Sequence, residues 1–177
     1  MYVGDRWHRH ADRPAIVMAS SGETVSYAEL ERRSTRLAHL LRAEGLKRLD
    51  HYAIYMENNA RYLECNGAGE RAGLYFTCVN SWLQHEELAY VVDNCQAQVL
   101  VTSLAKLPVA RAALASCPRV HRCLVVGGGA AVRELGVAHR LPARRHDDGR
   151  PVRVSVKAVA DVHRPLARDR LRADEVD

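Results

Sequence analysis

Two glycine-rich segments are the first candidates for chemistry, because the backbone N–H groups of a glycine loop can bind phosphate. Gly67, Gly69 and Gly73 approximate the spacing of a dinucleotide-binding loop. Such a loop lies between a strand and the following helix, whereas these glycines fall late in a predicted helix, so close packing of helix on sheet is favoured. The triplet at 127–129 has no Lys or Ser/Thr after it at P-loop spacing and is interpreted as a flexible connection.

Two groups of residues could ligate a metal or transfer a proton, and neither predicts a site. His8 and His10 could share a metal only in an extended segment with further ligands nearby, and the neighbouring sequence offers none. Asp147 and Asp148 beside His146 are typical of a polar turn, because acid–base chemistry would need convergent partners. The sequence contains neither G-x-S-x-G nor H-E-x-x-H. We predict no catalytic residue and no metal ligand.

The cysteines and the start of the chain indicate a reducing compartment. No apolar segment approaches the ~18 residues of a membrane helix, and the first residues lack the apolar segment of a signal peptide. We therefore expect a cytoplasmic protein without a membrane span. An odd number of cysteines without C-x-x-C spacing favours reduced thiols that act as small core side chains; they are Cys65, Cys78, Cys95, Cys117 and Cys123.

The positive charge is modest and gives poor support for nucleic-acid binding. The chain has 26 Lys and Arg residues against 21 Asp and Glu residues, for a formal net charge of +5. Acidic residues are interleaved with the arginines, and no aromatic residue follows Tyr90 to provide a stacking platform for bases. Nucleic acid is not expected as a partner. With 47% hydrophobic residues, the chain can form a buried core and general disorder is excluded.

The segments that must position these residues alternate between strands and helices. Ser26 and Glu29 form a capping box before an apolar helical period, and Gly45 follows, so a helix is predicted at about Tyr27–Ala43. Further helices are predicted from Asn58 or Asn59 to about Arg71, and at about 85–95 and 103–116. Strands are predicted at 14–18, 24–27, 52–56, 74–79, 97–102 and 120–126.

This order predicts βαβ units, and therefore an α/β chain with a mostly parallel sheet flanked by helices. The strand at Leu74–Val79 is expected to be buried within that sheet. The periodicity fades after the glycine triplet, except at Pro151–Val159, where alternation predicts one strand. The outer face of the first helix is predicted to be a solvated surface, and it carries Glu31, Arg32, Arg33 and Arg36.

Five segments between Asp12 and Ser103 carry a resemblance to a known family. The first segment is D-R-P-A-I-V at residues 12–17, and the second is T-V-S-Y-A-E-L-E-R-R-S-T-R-L-A-H-L-L at residues 24–41. Then come L-K-R-L-D-H-Y-A-I-Y-M-E-N-N, A-G-L-Y-F-T-C-V-N and E-E-L-A-Y-V-V-D-N-C-Q-A-Q-V-L-V-T. This ordered set over about 90 residues resembles the beginning of an AMP-forming acyl-CoA synthetase of the adenylate-forming superfamily, the AMP-dependent synthetases and ligases.

The resemblance implies a fold and a division of the chain. Residues 1–128 are expected to form a partial N-terminal subdomain of the adenylate-forming synthetase fold, and residues 129–177 an atypical basic tail with at most one strand. In that family a fatty or other carboxylic acid is activated with ATP and Mg²⁺ to acyl-AMP, and coenzyme A then displaces AMP. The function implied is that of a ligase of fatty acid metabolism.

Several parts of the family pattern have no counterpart in these 177 residues. They are the phosphate loop ending in Pro-Lys-Gly, the later acidic residues that hold the ribose, and the C-terminal lysine domain. In addition, Leu49 stands where glycine is expected before Asp50, and Gly67 and Glu70 replace other residue types in the second helix. We therefore expect a truncated fragment that is inactive alone, with no cofactor and no catalytic, cofactor-binding or metal-binding residue of its own.

A shift of reading frame within an arginine-rich gene would account for the composition of the tail. Translation of the neighbouring DNA in the other two frames tests this hypothesis, and failure to find the Pro-Lys-Gly loop there would overturn it.

Two other function classes stay open. One is a non-catalytic interaction module that exposes the incomplete sheet, and the other is a basic protein that binds nucleic acid with strong salt dependence.

Overall fold

The computed structural model describes residues 9–127 and, by their backbone, three short strands at 144–145, 151–152 and 155–158. The helices are α1 (Tyr27–Ala43), α2 (Tyr62–Ala72), α3 (His85–Asn94) and α4 (Leu107–Leu114). The strands are β1 (Pro14–Val17), β2 (Thr24–Ser26), β3 (His51–Tyr55), β4 (Tyr75–Val79), β5 (Val99–Ser103), β6 (Arg122–Val126), β7 (Arg144–Arg145), β8 (Pro151–Val152) and β9 (Ser155–Ala158).

The central sheet has the strand order β4-β3-β5-β6-β9, and every neighbouring pair in it is parallel. The first two strands form a separate antiparallel hairpin, and β7 pairs with β8 in the same sense. The prediction of an α/β chain with a mostly parallel sheet flanked by helices is therefore confirmed. Among the described residues, no helix combines the length and apolar character needed to cross a bilayer.

Side chains of the central strands alternate between two apolar layers. Ala53 and Tyr55 pack in one layer with α3 and α4, whereas Tyr52 and Ile54 pack in the other with α1 and α2. None of these four side chains is more than 1% exposed. Successive side chains of a strand point to opposite faces, so a strand covered on both faces needs a continuous apolar run. This explains Y-A-I-Y-M in the sequence.

Helix α1 has the predicted bounds, and Ser26 caps it as predicted, but the Glu29 side chain forms ion pairs with Arg32 and Arg33 instead of completing the capping box. The Ser26 hydroxyl accepts a hydrogen bond from the backbone N–H of Glu29 at 3.2 Å, which satisfies one of the free donors of the first turn. At the other end Gly45 has φ +102°, a conformation that stops the helix without strain.

The prediction that the charged face of α1 is solvated is wrong for two of its residues. Glu31 forms an ion pair with Arg71 of α2, and Arg33 forms one with Glu64 of α2 at 3.0 Å. These four side chains are between 7% and 23% exposed, because α1 and α2 pack side by side on one face of the sheet. The period of α1 indicated its apolar stripe but not a second helix against its polar flank.

Helix α2 confirms one predicted boundary and shifts the other. Gly73 ends the helix in the left-handed conformation with φ +63°, as its position after the last turn predicted. The helix begins at Tyr62, and its N-cap residue Arg61 makes no side-chain cap. The side chain of Asn59 accepts from the backbone N–H of Arg61 at 2.9 Å, so it shapes the turn before the helix instead of capping it.

Two predictions about strands need correction. Among the described strands, β4 lies at the edge of the central sheet and is not buried as predicted, and Tyr75 in it is 55% exposed. Residues after 128 contribute three short strands in place of at most one, because the alternating segment at 151–159 is divided between β8 and β9. Since β9 pairs with β6, the central sheet extends past residue 128. The division of the chain at that residue stays a prediction.

Leu49 supplies the first testable prediction, because it holds a left-handed backbone conformation with φ +72° where the family pattern has glycine. That conformation costs an L-residue about 1–2 kcal/mol. The Leu49 side chain is 51% exposed, so little burial would be lost with it. We expect Leu49→Gly to raise the free energy of unfolding by about 0.5–1 kcal/mol, after subtraction of the entropy that glycine adds to the unfolded chain.

Denaturant unfolding of the two proteins measures this difference. The matched control is Arg48→Gly, one residue away and without positive φ, where glycine should lower stability by about 0.5–1 kcal/mol. Equal effects of the two substitutions would contradict the assignment of strain to Leu49.

Candidate functional site

The strand order leaves a crevice at the carboxyl end of the central sheet. Strands β3 and β5 are neighbours in the sheet. The chain leaves β3 through α2 and returns in β4, on the side of β3 away from β5. It leaves β5 through α4 and returns in β6, on the side of β5 away from β3. The loops after β3 and β5 therefore diverge. In open α/β sheets this divergence is the usual position of a ligand site.

The crevice holds a cleft of about 590 Å³. Its walls come from the segments after β3, β5 and β6, together with the loop between β1 and β2. The cleft is lined by Glu23, Glu57, Asn59, Ala60, Arg61, Ser103, Leu104, Ala105, Val126 and Gly127. A volume of this size is within the range of clefts that bind small molecules.

Glu57 and Ser103 are brought together in this cleft from the ends of two neighbouring strands. The Ser103 hydroxyl donates to Glu57 Oε2 at 2.5 Å and accepts from the backbone N–H of Lys106 at 3.3 Å. The Asn59 amide donates to the Glu57 backbone carbonyl at 3.1 Å and to its carboxylate at 3.3 Å. The carboxylate of Glu57 is therefore fixed in position.

The pKa of Glu57 lies below its ordinary value. Desolvation, the largest single influence, raises the pKa, but hydrogen bonds from Ser103 and the Asn59 amide, together with the nearby charge of Lys106, outweigh it. Glu57 is therefore ionised at neutral pH. It is suited to hold a cation or a hydrogen-bond donor, and unsuited to donate a proton.

The charges of the cleft residues are poorly suited to bind a nucleoside triphosphate. Two carboxylates, Glu23 and Glu57, line the cleft. Its one lining arginine, Arg61, forms an ion pair with Glu64 at 2.7 Å. Among residues 9–127, no group of three or more His, Cys, Asp and Glu side chains is arranged to hold a metal ion. We therefore derive no step of phosphate chemistry from these residues.

The glycines of α2 pack against neighbours, as predicted, and do not form a phosphate loop. A Cβ atom on Gly69 would lie 2.5 Å from the Tyr52 hydroxyl and 2.6 Å from Phe76 Cδ1. A Cβ atom on Gly67 would lie 2.8 Å from the hydroxyl of Ser34 on α1. Gly69 lets α2 approach the sheet closely, which confirms the prediction for this residue, whereas Gly67 lets α2 approach α1. Of the triplet, only Gly127 belongs to the described residues, and it lines the cleft.

The other sequence candidates are not brought together. His10 is exposed, whereas His8 and the group at 146–148 lie outside the described residues. The prediction that all five cysteines are core side chains is correct for Cys65, Cys117 and Cys123, which are buried. Burial raises the pKa of Cys117 and of Cys123 to about 12, so these thiols stay protonated. Cys95 is half-buried, and Cys78 is exposed.

A smaller cleft of about 360 Å³ lies beside the first, after β3 and β4. It is lined by Met56, Asn58, Tyr62, Cys78, Val79, Asn80, Ser81 and Trp82. The indole of Trp82 is 82% exposed, and the ammonium of Lys106 lies 5.4 Å from its ring centre. This cation–π contact joins the loop after β4 to the loop after β5.

The pairing of Glu57 with Ser103 was missed from the sequence, although a signal existed. Glu57 directly follows the apolar run Y-A-I-Y-M, and Ser103 follows V-L-V after one threonine. Polar residues at the carboxyl ends of adjacent parallel strands meet at one edge of the sheet. The signal can be interpreted only when β3 and β5 are known to be neighbours in the sheet, and the tertiary structure decides that.

Ser103→Ala is expected to raise the pKa of Glu57, because the carboxylate loses its nearest hydrogen-bond donor. A lowered folded-state pKa contributes stability above the ordinary carboxyl pKa, and that stability is lost as pH falls through the lowered value. The substitution should therefore reduce the difference in unfolding free energy between about pH 7 and about pH 3. NMR titration of the Glu57 carboxyl carbon measures the shift.

The matched control is Thr102→Ala, since it removes a buried hydroxyl from the same strand. Among the described residues, the Thr102 hydroxyl has no hydrogen-bond partner. The control should leave the Glu57 titration unchanged. An unchanged titration in Ser103→Ala would contradict the contact.

The known proteins to which this chain is similar agree with one another. A family model described as AMP-binding enzyme matches residues 4–169. A 3-oxocholest-4-en-26-oate–CoA ligase from Rhodococcus rhodochrous is 32% identical over 142 residues, which is 75% of this chain and 26% of that ligase. An acetyl-coenzyme A synthetase from Coprinopsis cinerea is 29% identical over 136 residues, covering 69% of this chain and 21% of the synthetase. The chain spans about a quarter of the length of these relatives.

Solved structures show the same fold. A putative long-chain-fatty-acid CoA ligase from Rhodopseudomonas palustris has a TM-score of 0.65 and 26% identity, covering 73% of this chain and 33% of that protein. The A domain of a carboxylic acid reductase from Segniliparus rugosus has a TM-score of 0.66 and 21% identity, covering 88% of this chain and 28% of that domain. The sheet and its flanking helices therefore match the N-terminal part of the adenylate-forming synthetase fold.

Proposed function

The chain belongs to the AMP-binding enzyme family, and we propose that it forms the N-terminal α/β scaffold of an acyl-CoA synthetase that activates a fatty or other carboxylic acid. The observation that carries the proposal is the family match over residues 4–169, on a parallel sheet whose crevice lies at the carboxyl ends of β3, β5 and β6. The relatives named above are CoA ligases or synthetases, which supports an acid substrate and the use of ATP and coenzyme A by the whole enzyme.

We further propose that this chain alone does not activate acids. Its 177 residues contain no Pro-Lys-Gly sequence. The cleft residues add to this argument, because the carboxylates of Glu23 and Glu57 would repel phosphate and Arg61 is already paired. For the same reasons we assign no catalytic, cofactor-binding or metal-binding residue. A cytoplasmic location is also part of the proposal.

The first experiment is an assay of acid-dependent pyrophosphate release by the full chain with ATP, Mg²⁺, coenzyme A and a panel of carboxylic acids. We expect no release above the protein-free background, with the Rhodococcus ligase named above as the positive control. Release that depends on the acid would overturn the proposed inactivity.

The second experiment tests the scaffold role with a chimera. Residues 9–127 replace the aligned segment of that ligase, and thioester formation is measured. We expect a folded chimera that retains detectable activity, whereas a ligase with the segment deleted should have none. A folded chimera without activity would contradict the scaffold role.

A further inference from the structure

Strand β4 has a free edge whose backbone groups can be assigned from the pairing on its other side. The N–H of Tyr75 donates to the carbonyl of Asp50 at 2.9 Å, in the parallel register His51 with Tyr75. Backbone groups of successive residues in a strand point alternately to its two neighbours. Tyr75, Thr77 and Val79 therefore bond toward β3, and the N–H and C=O groups of Phe76 and Cys78 point outward.

Within residues 9–127, no strand pairs with that outer edge, since β4 is terminal in the sheet. Three of the features by which natural proteins block such strands, namely charged residues, proline and a bulge, are missing from this edge. Residues 72–84 contain no Asp, Glu, Lys, Arg or Pro, whereas protected edges carry lysine, proline or a bulge. Strand β4 pairs with β3 in an unbroken register over five residues, so no bulge turns the edge away.

We propose that the outer edge of β4 pairs with β4 of a second copy of this chain in an antiparallel dimer centred on Thr77. The two-fold axis then passes between Thr77 and its symmetry mate, and Phe76 of each copy lies opposite Cys78 of the other. Each such pair exchanges two hydrogen bonds, because outward-facing residues of antiparallel strands form the closely bonded pairs. The dimer therefore contains four hydrogen bonds, and these satisfy the two N–H groups and the two C=O groups that point outward from each strand.

A second copy is the favoured occupant because the edge is complementary to itself. Phe76 and Cys78 supply two outward donors and two outward acceptors, arranged symmetrically about Thr77, and an antiparallel copy presents the same set in reverse order. No charge in residues 72–84 opposes the approach of an identical strand.

Side chains of the edge strand are packed against the fold before pairing, which lowers the entropy lost on association. Phe76 packs against the layer formed by α1 and α2, and its ring centre lies 6.0 Å from that of the buried Tyr52. The Cys78 thiol lies 3.8 Å from the side-chain oxygen of Asn66 on α2. Val79 at the end of the strand is buried in the opposite layer. The inference is independent of the proposed function, because it uses no residue of the crevice between β3 and β5.

The test uses the full chain under reducing conditions, with sedimentation equilibrium up to about 100 µM. We expect a monomer–dimer equilibrium for the natural sequence. Cys78→Pro removes the outward N–H and leaves the ladder to β3 intact, so two of the four bonds are lost from each dimer. We expect this variant to raise the dissociation constant at least about tenfold. The matched control Cys78→Ser keeps the N–H and should dimerise like the natural sequence.

A second pair of variants keeps the test decisive if proline perturbs the fold, which circular dichroism would reveal. Thr77→Lys places two positive charges opposite each other at the axis, so dimerisation should weaken at low salt and recover at high salt. Thr77→Ser is its control. A natural chain that stays monomeric throughout the concentration range would overturn the proposal, as would folded Cys78→Pro or Thr77→Lys proteins that dimerise unchanged.

Discussion

Replacement of Gly69 with alanine is expected to lower the free energy of unfolding by about 2 kcal/mol. The added methyl group would lie 2.5 Å from the Tyr52 hydroxyl and 2.6 Å from Phe76 Cδ1, both well inside contact distance. Tyr52 has no room to move, since it is fully buried and donates to the carbonyl of Cys65 at 2.6 Å. The helix must therefore shift away from the sheet, and urea denaturation with both proteins measures the loss.

Gly67→Ala is the matched control, two residues earlier on the same helix. Both substitutions gain about 1 kcal/mol of helix propensity. At Gly67 the closest atom is the end of the flexible Arg71 side chain at 2.7 Å, followed by the Ser34 hydroxyl at 2.8 Å. We expect a change within about 1 kcal/mol of zero at this position. If Gly67→Ala proved as costly as Gly69→Ala, the approach of α2 to Tyr52 would not be the cause.

A partial rescue identifies the clashing atom at Gly69. Tyr52→Phe removes the hydroxyl that lies nearest to the added methyl group. In the Gly69→Ala background this second substitution should therefore be less destabilising than it is in the natural sequence. Strictly additive effects would show that the two sites do not interact.

The second large effect is expected at Glu64, whose replacement with glutamine should lower the free energy of unfolding by about 2–3 kcal/mol. The carboxylate lies between the guanidinium groups of Arg33 at 3.0 Å and Arg61 at 2.7 Å, and its side chain is only 7% exposed. Without the charge of Glu64, Arg61 loses this ion pair and Arg33 keeps only the one with Glu29. The arginines are 18% and 29% exposed, so solvent limits the loss below that of a fully buried pair.

Two variants complete the test at Glu64, again by urea denaturation. Glu70→Gln removes an exposed carboxylate from the same helix and should change stability by less than about 0.5 kcal/mol. The double variant Arg33→Leu with Glu64→Leu replaces the buried pair by apolar side chains and should recover part of the loss. A Glu64→Gln protein as stable as Glu70→Gln would contradict a structural role for this ion pair.

Local sequence signals account for much of the architecture. The N-cap at Ser26, the stop at Gly45 and the left-handed Gly73 each act within a few residues, so pattern alone predicted the ends of α1 and the end of α2. The apolar runs at 52–56, 97–102 and 120–126 predicted strands, and the structure has β3, β5 and β6 at these places. The family resemblance likewise depended on short ordered segments, and the match over residues 4–169 confirms it.

What the sequence by itself determined was therefore the type and order of the elements, because helix caps, turns and the two-residue period depend on neighbouring residues. Only the tertiary structure decided which elements are neighbours. It placed Glu57 beside Ser103, 46 residues away, joined Arg33 to Glu64 across two helices, and left β4 at the edge of the sheet. These outcomes depend on strand order and on how α1 and α2 share one face, which long-range packing selects. No local sequence pattern specifies which elements become neighbours.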